Sequence, residues 1–294
     1  MEKWRWYVAG VLFGLAFANW AAWEYVLDGR FLKVTFFDVG QGDAIFIETS
    51  QGHQILIDGG PSKKVVEKVG KTLPFWDKSI DLVILTHPDA DHITGLVSVL
   101  EQYNVENVLW TGVEANTNIF RSWEQALEKS LKPDFEREKV GLYLARAPQK
   151  LVWSQNPSYE FMEILYPDNS AISSAKAVND TSLVSKLVFG SDSFLFPGDI
   201  SKTAEQKLVD QKADIAADVL KVPHHGSKSS SSESFLAAVS PNIAVIQVGA
   251  KNRYGHPTKE VLARLGNISV LRTDEKGDIV VKITATHFSI QTER

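Results

Sequence analysis

Short apolar runs, each closed by glycine, proline or a charged turn, alternate along most of the chain with stretches of helical spacing. This alternation predicts an α/β protein. Phe31 to Phe37, Ala44 to Glu48 and Gln54 to Ile57 read as three early strands. The tight turns Gly40-Gln41-Gly42-Asp43 and Ser50-Gln51-Gly52 join them, which suits an antiparallel meander. Leu82 to Leu85 reads as a buried strand between the helices Val65 to Val69 and Ile93 to Tyr103. Val105 to Trp110 follows as a strand, Ile119 to Leu131 as a helix, and Leu142 to Ala145 and Phe161 to Leu165 as strands. Leu183 to Val188 and Ser193 to Phe196 are expected to pair as a hairpin around Gly190-Ser191-Asp192. Helix Ala204 to Asp210, strand Val219 to Val222, helix Ser234 to Val239, strand Ile243 to Val248 and helix Lys259 to Leu265 come next. The serine-rich run Ser227-Lys228-Ser229-Ser230-Ser231-Ser232 is low in complexity and predicts a flexible loop.

The N-terminus is patterned differently. After Lys3 and Arg5, the run Trp6 to Val26 is broken only by Asn19 and Glu24, with Trp4, Trp6, Trp20 and Trp23 toward its two ends. Roughly 20 apolar residues span a bilayer as a helix, and tryptophan favours the interfaces. A transmembrane anchor is therefore expected over residues 1–30, ahead of one folded domain over residues 31–294. The basic residues on the short side predict a cytoplasmic N-terminus and an extracytoplasmic domain. A cleavable secretory signal is the competing reading, with Val8 to Ala18 as its apolar run, and it too sends the domain across the membrane.

Composition narrows the chemistry. At 294 residues and 44% hydrophobic, the chain can bury a large core. It has no cysteine, so a metal would have to sit on nitrogen and oxygen. The net charge of −5 argues against a surface generally coated by nucleic acid, which needs several Lys or Arg against phosphates. Any such contact must be local, and Lys221, Lys228, Lys251 and Arg253 gather in the later loops as a candidate basic rim.

The densest chemistry lies in Thr86-His87-Pro88-Asp89-Ala90-Asp91-His92, directly after the strand Leu82 to Leu85. Four ligand-type side chains stand there within six positions. Imidazole and carboxylate suit borderline and hard divalent ions, and a pair of such ions can clamp a phosphoryl or acyl oxygen from both sides. His87 and Asp89 can face one ion, and Asp91 and His92 a second. Ordinary polar loop residues are the plain alternative. Asp199 follows Phe194-Leu195-Phe196 and a Pro-Gly turn, which sets a carboxylate at another strand end. His224 and His225 follow Leu220-Lys221-Val222-Pro223, and adjacent histidines seldom bury together without partners. Strand direction favours His224 as a ligand of the second ion and His225 as a phosphate contact or general acid. His256, in Arg253-Tyr254-Gly255-His256-Pro257, either replaces His224 as ligand or donates a proton to the leaving oxygen.

The stretch from His87 to His92 resembles the His-x-His-x-Asp-His motif of the metallo-β-lactamase superfamily, with Asp89 in place of the second His. Six further segments, in order, resemble the hydrolase domain of the ComEC competence proteins. They are Phe36 to Ala44, Ile57 to Gly60, Asn179 to Val184, Phe196 to Ile200, Leu220 to Ser227 and Tyr254 to Pro257. The resemblance implies an αββα sandwich of two mixed sheets and a binuclear hydrolase. In it, Asp199 bridges the two ions and Asn179-Asp180 stands where a third His is usual. Asp58 is expected to orient a ligand from behind. Oxygen in place of nitrogen hardens the site, so manganese is favoured, with zinc or magnesium as alternatives. The resulting ligand set is His87, Asp89, Asp91, His92, Asp199 and His224. Asp91, His225, His256 and Lys228 are the expected catalytic groups, and Asp38, Gln41, Asp43, Asn179, Ser227 and Arg253 the expected substrate contacts. The resemblance implies an extracytoplasmic nuclease or phosphodiesterase acting on single- or double-stranded DNA, alone or beside a separate DNA-channel protein. Small or surface phosphodiesters such as phosphorylcholine esters are an alternative substrate, and a membrane-tethered binding module without turnover is an alternative of another class.

Overall fold

The computed structural model describes residues 3–27, 31–131, 140–153, 159–284 and 287–294. Helix α1 (Lys3–Leu27) forms where the N-terminal run predicts it, with Trp4, Trp6, Phe13 and Phe17 exposed. Among the described residues, however, no helix is long and apolar enough to cross a membrane, so the expected transmembrane span finds no support. Gly10, Gly14, Asn19 and the tryptophans dilute the apolar run. The expected junction at residues 28–30 lies outside the described residues.

The domain begins with β1 (Leu32–Phe36), β2 (Ile45–Glu48) and β3 (Gln54–Ile57), an antiparallel meander as the turns predict. Helix α2 (Lys64–Thr72), β4 (Ser79–Leu85), α3 (Ala90–Gln102), β5 (Asn104–Trp110), α4 (Asn118–Leu131) and β6 (Gly141–Leu144) then add parallel strands through helical crossovers. A second sheet opens with β7 (Gln149–Leu151), β8 (Glu160–Tyr166), the short α5 (Asn169–Ser174), and the expected hairpin of β9 (Val184–Phe189) and β10 (Asp192–Phe196). It continues in parallel through α6 (Lys202–Asp210), β11 (Val219–Lys221), α7 (Glu233–Val239), β12 (Ile243–Ile246), α8 (Lys259–Leu265) and β13 (Ser269–Arg272). After α9 (Thr273–Lys276), the hairpin of β14 (Ile279–Ile283) and β15 (Phe288–Thr292) returns to the first sheet.

The strand orders are β15-β14-β1-β2-β3-β4-β5-β6 and β13-β12-β11-β10-β9-β8-β7, so both sheets are mixed, as expected. Alternation along each strand sorts its side chains into two layers. In β4, Val83 and Leu85 pack under α2 and α3, while Ile84 faces the second sheet. Val34, Phe36, Ile45 and Ile57 meet Leu187, Phe194, Phe196 and Val245 between the sheets. Leu195, Leu220 and Ile246 pack outward against Leu208, Phe235 and Leu265. Each such side chain contributes roughly 1.5–3 kcal/mol when fully buried, and the three cores together hold the layers of the αββα sandwich against one another.

Two expectations change. The elements after Leu265 are additional to those foreseen, and through β14 they make β1 an interior strand. The serine run is tied down: Ser230 and Ser231 are fully buried, Ser232 N–H donates to Glu205 at 2.8 Å, and Arg264 donates to the Ser230 carbonyl at 2.7 Å. Low complexity there reflects serine used for backbone bonding, not freedom.

Candidate metal centre and its cleft

The chemistry-bearing residues collect where β3, β4, β10, β11 and β12 end, at one rim of the sandwich. Asp58 follows β3 in the left-handed conformation (φ 57°) and is fully buried. Its carboxylate accepts from the Thr86 backbone N–H (2.9 Å), the Thr86 hydroxyl (2.6 Å) and His92 Nδ1–H (2.8 Å). The Thr86 hydroxyl, its proton given to Asp58, accepts from His87 Nδ1–H at 3.0 Å. His225 Nδ1–H donates to the Gln247 carbonyl at 2.9 Å. All three rings therefore spend Nδ1 on the protein and turn Nε2 toward a common centre, the tautomer that metal ligands adopt.

Around that centre, Asp199 Oδ2 lies 3.4 Å from His92 Nε2 and 3.3 Å from His225 Nε2. Asp91 Oδ2 lies 3.2 Å from His225 Nε2, and the His87 and His92 rings are 4.1 Å apart. Two adjoining donor groups result, His87 with His92 and Asp199, and Asp91 with His92 and His225. The Nε2 atoms of His87 and His92 are buried without a hydrogen-bond partner. Orphaned buried nitrogens are costly unless something else ligates them, so the donor set fits divalent ions.

Behind the donors lies a charge pair that sequence reasoning placed elsewhere. Lys221 is 1% exposed and belongs to the interior, not to the basic rim. It is the inward-facing end of β11, and its ammonium donates to the Gly198 carbonyl (3.0 Å), to Asp199 Oδ1 (3.2 Å) and to the Asp43 carboxylate. Asp199 thus has one oxygen committed to Lys221 and the other free for the centre. Asp43, expected at the substrate, is itself buried against Lys221 and His225. Gly42 allows this approach: a Cβ there would stand 2.1 Å from the Asp91 carbonyl oxygen.

Electrostatics follow from the burial. Desolvation works against the charged form of His92, yet the Asp199 and Asp58 carboxylates outweigh it and hold the ring well above its ordinary range. Desolvation of His225 is likewise overcome by Asp199 and Asp43, which push it up to about 10. Desolvation would raise Asp199, but His225 and Lys221 hold it well below the usual carboxylate range. In His224 and His256, burial dominates and lowers both.

Residues 37–148 and 175–250 match the sequence model described as the metallo-beta-lactamase superfamily. The chain belongs to that superfamily. It is 33% identical over 267 residues to ComE operon protein 3 of Bacillus subtilis, covering 84% of this chain and 32% of that protein. To competence protein ComA of Neisseria gonorrhoeae it is 30% identical over 249 residues, covering 83% of this chain and 31% of the relative. The chain therefore spans about a third of the length of the curated relatives it matches. Among solved structures, the metallo-beta-lactamase fold protein YhfI of Bacillus subtilis superposes with a TM-score of 0.55 at 12% identity, covering 86% of this chain and all of that one. Igni18, a metallo hydrolase of Ignicoccus hospitalis, superposes at 0.52 and 15% identity, covering 87% of this chain and 100% of that one. Both share the fold. The protein is accordingly a metallo-β-lactamase superfamily hydrolase, homologous to competence proteins, whose fold implies divalent metal ions.

Within the superfamily frame, the remaining expected residues separate. Of the two histidines after β11, expected as ligand (His224) and as phosphate contact or general acid (His225), the structure brings His225 deeper into the donor cluster. Both adopt left-handed backbone conformations (φ 52° and 53°), which breaks strand alternation and turns His225 inward. His224 stays partly exposed, with Nε2 3.9 Å from Asp199 Oδ2 and its ring 6.0 Å from that of His256. Asp89 lies 3.6 Å from His87 Nε2 on a more exposed side chain. Gln41, Asp91, Lys251 and Arg253 line one cleft of about 400 Å³. Asp38 stands apart and ties the first turn to Arg294 at 2.7 Å. Asn179 sits in a helical turn whose backbone bonds to Ser182, the residue whose hydroxyl accepts from Asp199 N–H at 3.2 Å. Ser227 is buried and hydrogen-bonds to Ser229, while Lys228 is exposed beside it.

Proposed function

We propose that the protein is a binuclear, metal-dependent phosphodiesterase that cleaves DNA outside the cytoplasm. The observation that carries this reading is the cleft, which joins Asp91 of the donor cluster to the cations Lys251 and Arg253. A hydrolase whose donor cluster reaches the cleft through Asp91, with positive charge along the wall, suits an ester of phosphoric acid.

His87, Asp89 and Asp199 would hold one ion, and Asp91, His92, His225 and Asp199 the other. Ions bound there supply Lewis acidity toward a phosphoryl oxygen and acidify water at neutral pH. Lys221 holds Asp199 Oδ1, which leaves Oδ2 facing the donor cluster, where it would be available to the ions. Lys251 and Arg253 bind and orient the flanking phosphates. With their lowered pKa, His224 and His256 are neutral at pH 7, so they donate N–H hydrogen bonds to a phosphoryl oxygen in preference to delivering a proton outright. The carboxylate at position 89 and the other oxygen donors favour Mn²⁺ over Zn²⁺. The extracytoplasmic placement rests on Lys3 and Arg5 ahead of the run Val8 to Ala18, which has the length of a secretory signal, and a separate DNA-channel partner on the competence relatives alone.

The test is hydrolysis of single-stranded DNA and of bis-p-nitrophenyl phosphate by metal-stripped protein given Mn²⁺, Mg²⁺ or Zn²⁺, with Asp91→Ala as control. Metal-dependent cutting of DNA that disappears in the variant supports the nuclease. Cleavage of the small ester alone moves the assignment to small or surface phosphodiesters, which the net charge of −5 favours. Metal binding without turnover would leave a binding module.

A further inference from the structure

The loop after β12 is organised by one side chain. Asn252 Nδ2 donates to the carbonyls of Gly249 (2.9 Å) and His256 (2.7 Å), and its Oδ1 accepts from the backbone N–H groups of Tyr254 (3.2 Å) and His256 (3.0 Å). This clamp fixes a turn that presents Tyr254 with 57% of its surface exposed, on the wall of the cleft that Asp91 also lines. The His256 ring stacks on the tyrosine, with centroids 5.7 Å apart and planes 22° from parallel. The Arg253 guanidinium lies 5.5 Å from the tyrosine centroid. His256 in turn meets His224, whose Nε2 is 3.9 Å from Asp199. A row of rings thus leads from the donor cluster to an exposed aromatic with the Arg253 guanidinium beside it. Stacking on an aromatic that is already held in place loses little conformational freedom, and a cation beside it can meet the phosphate of the stacked unit.

We propose that Tyr254 is a stacking platform for an unpaired nucleobase of the strand being cut, so that the enzyme selects base-bearing single strands over phosphodiesters of the same backbone without bases. This rests on the phosphodiesterase reading above and deepens it. A duplex keeps its bases stacked on each other, whereas a single strand can turn one onto the tyrosine. Stacking tolerates any base, so the platform gives single-strand preference without sequence preference.

The experiment compares the full chain and its Tyr254→Ala and Tyr254→Phe variants, loaded with Mn²⁺, on oligothymidylate and on an abasic oligonucleotide of equal length. Both kcat/KM and binding by fluorescence anisotropy are measured. The wild type is expected to favour the base-bearing strand by about tenfold, the order of one stacked base. Tyr254→Phe keeps that ratio, and Tyr254→Ala brings it toward one through KM. Equal handling of the two strands by the wild type, or an unchanged ratio in Tyr254→Ala, overturns the platform. Failure to cut either strand would sink the phosphodiesterase reading separately, and the binding ratio still decides the role of Tyr254.

Discussion

The inner face of the site and its outer wall both carry charge, but they manage it in opposite ways. Inside, Asp43, Lys221 and Asp199 have almost no contact with water, and each is answered by an opposite charge within the protein. At the wall, Lys251 and Tyr254 face solvent, and Arg253 is fully outside the protein's low-dielectric interior. Charges inside are screened little by salt, while those at the wall are screened strongly and gain most of their effect when a ligand displaces water. The inner group therefore positions atoms, and the wall selects what reaches them.

Four tests stress this contrast. Stripping the metal, or Asp91→Ala, should lower turnover by at least about 10³-fold, because several kcal/mol of transition-state charge stabilisation depend on the centre. A phosphodiester assay shows this, and near-wild-type rates without metal would refute the centre. Lys221→Met leaves two buried carboxylates without their cation and should cost about 3–5 kcal/mol in urea unfolding, while the double variant with Asp43→Asn recovers part of the loss. If the single variant is as stable as the wild type, Lys221 is not the partner of Asp43. Asp58→Asn removes the acceptor behind His92 and should weaken metal affinity by about 10–100-fold, read by calorimetric titration. At the wall, Lys251→Ala or Arg253→Ala should weaken DNA binding modestly and reduce the salt slope by about one per residue removed. An unchanged slope would place the strand elsewhere.

A pH titration sharpens the same comparison. His92 and His225 have raised pKa in the metal-free fold. The stability that His225 contributes is fully present below its unfolded value near 6.5 and is lost as pH rises through about 10. Metal needs those nitrogens deprotonated, so affinity should climb from pH 6 toward 9, with protons released on binding. Calorimetry in buffers of different ionisation enthalpy counts them. Binding without proton release would mean that the two rings are neutral before the metal arrives.

Much of the sandwich could be read from the chain because its strands are short, apolar and punctuated. Leu82 to Leu85 leading into His87 is a local pattern, and so is the hairpin around Gly190. What escaped depends on contacts between distant segments. Nothing in Leu220-Lys221-Val222 tells that Lys221 turns inward, because its partners Asp43 and Asp199 come from other loops. The inward turn of His225 depends on two consecutive left-handed residues, a conformation that non-glycine residues rarely adopt. A sharper clue was available for Asp43 in the Gly42 before it, because the Asp91 backbone presses so close there that no side chain fits. The return of β14 to β1 is likewise non-local, although Ile279 to Ile283 has the alternation of a half-buried strand.

In the order of synthesis, that return has a cost. The Asp38 backbone N–H donates to the Asp278 carboxylate at 2.7 Å, a bond between residues 240 positions apart. While the ribosome makes everything between, β1 cannot acquire its β14 neighbour and carries an open strand edge, the form most prone to pair with other chains. The turn bearing Gln41 and Asp43 is anchored through Asp38, so this side of the donor cluster lacks that anchor until the closing hairpin has docked. Until Asp278 and β14 have been made, the first turn of the domain lacks the partner that holds it.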